Sequence, residues 1–234
     1  MKDTNTRHDH IPKECPTLIA VDRILSEKMA TGVYSPQLLR KLYAIKNDRT
    51  LYMDDAIESK YSMEIPDDWT QSIPTFIDLI NEWNYLDRDI PKEERQPIRI
   101  KINSPGGEMY EGFALVDAIE SSETPVYTYN MGMAASMAFF AFIAGHRRFS
   151  QERAVFLMHD GHVVIVGSSG KSEDLADFLK EYKNTVIKPF VLKHSNMTAK
   201  KYASVYKDEL WMRADTAMEL GFVDEIMTDV SVLF

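Results

Sequence analysis

The sequence has a single cysteine, Cys15, among 234 residues. One thiol cannot close an intramolecular disulfide or build a zinc cluster, so nothing points to an oxidising compartment. The sequence also lacks an apolar signal core near its start, where residues 1–10 read MKDTNTRHDH. It lacks a long hydrophobic run. Its most apolar stretch, residues 131–145, stops before Arg147 and Arg148 and falls short of the roughly 20 residues a spanning helix needs. That stretch reads as a buried core segment. Positive charge is in deficit, with 27 Lys+Arg against 36 Asp+Glu and a net charge of −9. Such a chain is a poor binder of nucleic acid or of an anionic membrane. Internal repeats and low-complexity segments are absent as well. The expectation is a cytoplasmic protein with no nucleic-acid partner and no membrane partner.

What is present is an alternation of two periodicities. Leu18, Val21, Ile24 and Leu25 recur at helical spacing, as do Leu38, Leu39, Leu42 and Ile45. Residues 51–53 form a short apolar run, read as a first strand. Ile73, Phe76, Ile77, Ile80 and Trp83 share one helical face. After a connection carrying Pro91 and Pro97, residues 98–102 alternate as a strand should. A helix follows through Phe113, Val116 and Ile119, then a strand at 125–129 and an apolar helix at 134–143. Residues 154–158 form a continuous apolar run, the mark of a strand buried on both faces. Residues 160–171 read as a loop or small hairpin, and 172–193 as a long helix with Ser172 as its cap. Helices near 198–206 and 214–220 and a strand at 222–226 complete the chain. Strands alternating with helices predict an α/β fold with a largely parallel sheet.

Two junctions concentrate small residues. In Ser104-Pro105-Gly106-Gly107 the paired glycines either make a plain turn or let the backbone approach a ligand. In Gly132-Met133-Ala134-Ala135-Ser136-Met137-Ala138 a serine stands at the mouth of an apolar helix. There it serves as a helix cap, as a small residue at a close crossing, or as a nucleophile whose next N–H binds an oxyanion. The spacing is not that of the G-x-S-x-G elbow. Among the histidines, His8 and His10 lie in the polar tail, His146 in a basic turn and His194 near a helix end. His159 ends the buried run 154–158: it is either a hydrogen-bonded core histidine or a functional group at the carboxyl end of a central strand, where α/β proteins place them. His159, Asp160 and His162 lack a third strong ligand at a metal-binding spacing, so no metal is expected. Asp208 and Glu209, just before Trp211, are the acids available to orient an imidazole.

Taken in order, these motifs resemble the Clp protease proteolytic subunit family, ClpP, including its phage and prophage members. The resemblance covers roughly residues 49–228. It rests on Ile102-Asn103-Ser104-Pro105-Gly106-Gly107, on the segment around Ser136, on Met158-His159 and on residues 214–224 (ADTAMELGFVD). It implies an α/β fold of the ClpP/crotonase type: a repeated β-β-α spiral with a protruding handle helix, here 172–193. It implies a serine endopeptidase with Ser136 as nucleophile and His159 as base. Glu209 or Asp208 is the acid. Gly107 and Met137 are the oxyanion donors, and the strand of Gly106-Gly107 pairs with an extended substrate. Asp160-Gly161 stands where the family has Gln-Pro. The resemblance further implies polypeptide substrates, a homo-oligomer of heptameric rings stacked in pairs, an AAA+ unfoldase such as ClpX, and no cofactor. Residues 1–48 exceed the family's usual N-terminal segment and read as a partly helical or mobile extension before one peptidase domain at 49–234. The compartment implied is the cytoplasm, a host's if the chain is phage-encoded. Two other readings stay open: a weak or inactive ClpP-like scaffold subunit, and a crotonase-type acyl-CoA enzyme.

Overall fold

The computed structural model describes residues 11–58, 70, 72–161, 169–205 and 209–229. His8, His10, His162 and Asp208 lie outside the described residues, as does most of the expected 160–171 hairpin. The chain opens with helices α1 (Pro16–Thr31) and α2 (Pro36–Asp48). Each starts on a proline, whose fixed φ suits a first turn and whose missing N–H would have had no partner there. Their apolar faces, with Leu18, Val21, Leu25, Leu42 and Ile45, join the same core cluster as the rest of the molecule.

Then come β1 (Thr50–Met53), α3 (Ile73–Asp87), β2 (Ile98–Ser104), α4 (Met109–Ser121), β3 (Val126–Ala135) and α5 (Met137–Ile143). Parallel strands in the order β1-β2-β3 are crossed by α3 and α4, which bury Phe76, Leu79, Ile80, Leu115, Val116 and Ile119. α5 is buried along its whole length, so a fully apolar sequence is what its position demands. The predicted helix at 134–143 therefore starts later than expected: Ala134 and Ala135 complete β3, and the helix begins at Met137.

The sequence reading missed two strands. β4 (Arg147–Gln151), read as a basic turn, pairs in parallel with the first half of β3 and with β7 (Glu225–Met227). Its arginines hide the strand pattern, yet each meets an acid: Arg147 contacts Glu225 at 3.1 Å and Arg148 contacts Asp224 at 2.6 Å. β6 (Leu210–Arg213) pairs antiparallel with β5 (Val155–Met158), which itself runs parallel to the last part of β3. Opposite β2, β3 thus serves two partners in turn, β4 along Tyr127–Asn130 and β5 along Met133–Ala135. The long helix expected at 172–193 is α6 (Ser169–Tyr182), a π-helical turn (Lys183–Ile187) and α7 (Lys188–Lys193) in sequence. Ser172 falls inside it rather than at its cap. Helices α8 (Ala199–Val205) and α9 (Ala214–Glu219) complete the architecture. Among the described residues no helix is long and apolar enough to cross a membrane.

Candidate active site

Ser136 is the single residue between β3 and α5, with φ 53° and ψ −124°. A non-glycine residue in this region stores about 1–3 kcal/mol of strain and persists only where its surroundings hold it. Its backbone is held on both sides. The Ser136 N–H donates to the Leu157 carbonyl of β5 at 2.9 Å, and its carbonyl accepts from the N–H groups of Phe139 and Phe140. The side chain makes no capping bond. Ser136 therefore occupies the cap position without using its hydroxyl as a cap. The geometry is a strand–serine–helix elbow, reached without the glycine spacing that usually advertises one. At the start of α5 the N–H groups of Met137 and Ala138 are among the amides that a helix leaves without intrahelical partners.

The glycine junction lies directly against this elbow. A Cβ on Gly106, whose φ is +90°, would sit 2.4 Å from the Ala135 carbonyl oxygen and 2.7 Å from both Met137 N and Ser136 Cβ. Only glycine permits that approach. Gly107 pairs in parallel with Ile57 on its other flank: the Ile57 N–H donates to the Gly106 carbonyl and the Glu108 N–H to the Ile57 carbonyl. In that pairing the Gly107 N–H and C=O face away from Ile57. Ser104 braces the turn, donating to the Asp55 carbonyl and accepting the Gly106 N–H at 3.1 Å.

His159 follows β5 directly and is half-buried. Register places it near the elbow, because Ala135 pairs with Leu157. On the other side Met158 pairs with Leu210, the last pair of the antiparallel ladder, so His159 and Glu209 are the next residues beyond its end. His159 Nδ1 accepts the Gly161 N–H at 3.2 Å, and the Glu209 carboxylate accepts the Trp211 indole N–H at 2.9 Å.

A strained serine at a strand–helix elbow, a glycine turn packed on it, and a histidine at the end of the adjoining strand invite comparison with known proteins. The family model described as Clp protease matches residues 78–230. The chain belongs to the Clp protease family. It is 28% identical over 208 residues to ATP-dependent Clp protease proteolytic subunit 1 of Protochlamydia amoebophila, covering 86% of this chain and 91% of the relative. It is 29% identical over 141 residues to proteolytic subunit 2 of Rhodococcus jostii, covering 58% and 71% respectively. It is 34% identical over 141 residues to proteolytic subunit 1 of Mycobacterium leprae, covering 58% and 68%. The mixed α/β architecture with its parallel sheet accords with the Clp protease fold.

Within this Clp protease family member the remaining sequence candidates take other places. Asp160 pairs with Lys183 at 2.7 Å, linking the turn after His159 to the π-helical turn of the long helix. His146 accepts the Val126 N–H at Nδ1, and burial pushes its pKa below the usual histidine value. His194 Nε2 faces Glu120 Oε1 at 2.8 Å, and burial likewise pushes it down, against the opposing pull of Glu120. Both belong to the far end of the molecule from the elbow, beyond the last residues of α5 and α7. Among the described residues no group of three or more His, Cys, Asp or Glu side chains is arranged to hold a metal ion. Sequence reasoning overlooked Ile57 as the partner of Gly107 and β6 as the strand that follows Glu209. Each pairing is too short to leave a periodic signal.

Proposed function

We propose that this Clp protease family member is a serine endopeptidase acting by acyl transfer. The observation that supports it most is the packing of Gly106 against the strained Ser136 elbow. In this reading Ser136 Oγ attacks a peptide carbonyl carbon while its proton passes to His159 Nε2. The N–H groups of Gly107 and Met137 stabilise the oxyanion. Collapse expels the amine, which takes the proton from His159, and water then hydrolyses the acyl-enzyme by the same relay. Glu209 or Asp208 orients the imidazole. The role of base requires Nδ1 to carry its proton toward that acid, whereas in the structure Nδ1 accepts the Gly161 N–H. The outward-facing edge of Gly107 suits an extended substrate added as a further strand.

The relatives' names describe proteolytic subunits of ATP-dependent proteases. We accordingly propose a homo-oligomeric chamber of heptameric rings stacked in pairs, fed unfolded polypeptide by an AAA+ partner. Residues 49–234 form the peptidase domain and 1–48 its extension. A second reading, a weakly active or inactive scaffold subunit, is favoured by one observation: the Glu209 carboxylate accepts the Trp211 indole N–H. Labelling of the full chain by a fluorophosphonate probe separates the two. The expected result is labelling that Ser136→Ala abolishes and that weakens in Glu209→Ala or Asp208→Ala, whichever acid acts. A folded, assembled chain that takes up no probe would sink the proposal.

A further inference from the structure

We infer that Asn130 is a positioning residue whose carboxamide fixes the departure of β5 from the line of β4, and with it the approach of His159 to Ser136. The inference rests on the serine-peptidase reading above. Asn130 is fully buried in β3, where two partner strands meet. Up to Asn130, β3 pairs with β4, in the register Asn130–Ser150. From Met133 it pairs with β5, in the register Met133–Val155. On the other flank the pairing with β2 slips at the same place, from Ile102–Asn130 to Ser104–Ala134. The ladder is therefore interrupted on both sides at Met131 and Gly132.

The Asn130 side chain spans that interruption. Its Nδ2 donates to the carbonyl of Val155, the first residue of β5, at 2.9 Å. Its Oδ1 accepts the N–H of Gly132 at 3.0 Å. One end of the amide thus holds the base strand and the other holds the nucleophile strand. Beyond this point, among the described residues, the two strands are joined through Met133, Ala134 and Ala135 and the bond from Ser136 N–H to Leu157. An error at the junction passes directly to the two reacting side chains. Burying a carboxamide is costly unless its bonds are made, and an apolar strand residue would fill the same space. The amide is explained by the geometry it imposes.

The test uses the full chain, Asn130→Asp and Asn130→Ala. Turnover of a fluorogenic peptide and the rate of fluorophosphonate labelling are followed from pH 5.5 to 8.5, with thermal unfolding and sedimentation as checks on fold and assembly. Labelling of the unaltered chain is read first: its absence removes the peptidase reading, whereas labelling of that chain leaves the inference to be judged on the variants. Displacement of reacting groups by about 1 Å costs about 100-fold. We expect kcat to fall about 10- to 100-fold in both variants with KM changed less than about threefold. Asn130→Asp keeps the acceptor for Gly132 N–H but donates to Val155 only when protonated, and burial raises a carboxyl pKa. Its rate relative to the unaltered chain should therefore recover toward acid pH, while that of Asn130→Ala should not. A folded Asn130→Asp chain with kcat within about twofold of the unaltered chain would overturn the inference. So would identical pH ratios for the two variants, or failure of both to fold, which would make Asn130 a residue of the core alone.

Discussion

At the scale of residues, the molecule depends on backbone conformations that few residue types can adopt. Gly106 and Gly161 both have positive φ, +90° and +78°, but their surroundings differ. A Cβ at Gly161 meets nothing within 4 Å, whereas at Gly106 it collides with the backbone of Ala135 and Met137. Gly161→Ala should lose only the conformational term, about 1 kcal/mol, and keep its activity. Gly106→Ala adds a clash to strain of about 1–3 kcal/mol and must push Ser136 away. Urea unfolding combined with peptide turnover checks the pair. Gly106→Ala should be the less stable and inactive, and equal stability and activity in both would contradict the argument. The buried Arg49–Asp87 pair shows the same dependence on place. Arg49 stands at φ 48° at the end of α2, and its guanidinium meets both Asp87 oxygens, at 2.5 and 2.8 Å.

At the scale of elements, the N-terminal helices are fastened by a side chain of another helix. α1 has no side-chain cap of its own. The Glu82 carboxylate of α3 supplies one, accepting the N–H groups of Thr17 and Leu18 at 2.7 and 2.8 Å. A carboxylate also suits the positive end of the helix dipole. Burial, followed by the nearby Glu82 charge, pushes the Cys15 thiol above its usual pKa, so Cys15 packs there as an unreactive apolar group. Losing two charge-assisted bonds at a helix start costs about 2 kcal/mol. Glu82→Ala should therefore release α1 before the core unfolds. Hydrogen exchange over residues 16–31 should rise sharply while that of β2 and β3 stays slow. Unchanged protection of α1 would mean that its apolar contacts suffice.

At the scale of the whole molecule, the far end from the elbow gathers the end of α4, the turn before β4, the end of the long helix and the residues leading into β7. They meet around a cavity of about 540 Å³ lined in part by Glu120, His146, Arg148, Lys193, His194 and Asp224. Burial lowers the pKa of His146 and His194 in the folded chain. Burial pushes Glu120 up, but its bonds to Lys193 and His194 outweigh that and hold it below the usual carboxyl value. The unfolded chain therefore binds more protons than the folded one as pH drops below the ordinary histidine value of about 6.5. The two histidines contribute stability fully above that pH, and it is lost as pH falls through their lowered folded values. Glu120 adds a further loss below the carboxyl range. The melting temperature should fall between pH 7.5 and 5, and less steeply in His194→Gln, whose amide can still reach Glu120. A flat or rising profile would contradict this assignment.

Periodicity made most of the fold legible: the alternation at 98–102, the apolar run at 154–158 and the stripes of α3 and α4 all follow from which faces must be buried. The ordered motifs around Gly106, Ser136 and His159 also marked the candidate site, because a tight glycine turn and a small-residue helix mouth are local demands on residue type. β4 and β6 were not legible. Arginines paired with Asp224 and Glu225 mask the first, and the second is a strand only because β5 lies beside it. The conformation of Ser136 was equally hidden, since it is held by Leu157 across the sheet rather than by a neighbour in sequence. The sequence by itself determined the α/β alternation, the buried segments and the residue types at the two junctions, for these rest on local sterics and burial. Only the tertiary structure decided that β3 changes partner at Asn130, that Gly106 packs against Ser136 and that β6 runs antiparallel beside β5. Those relations depend on the register between strands far apart in the chain, which no local pattern encodes.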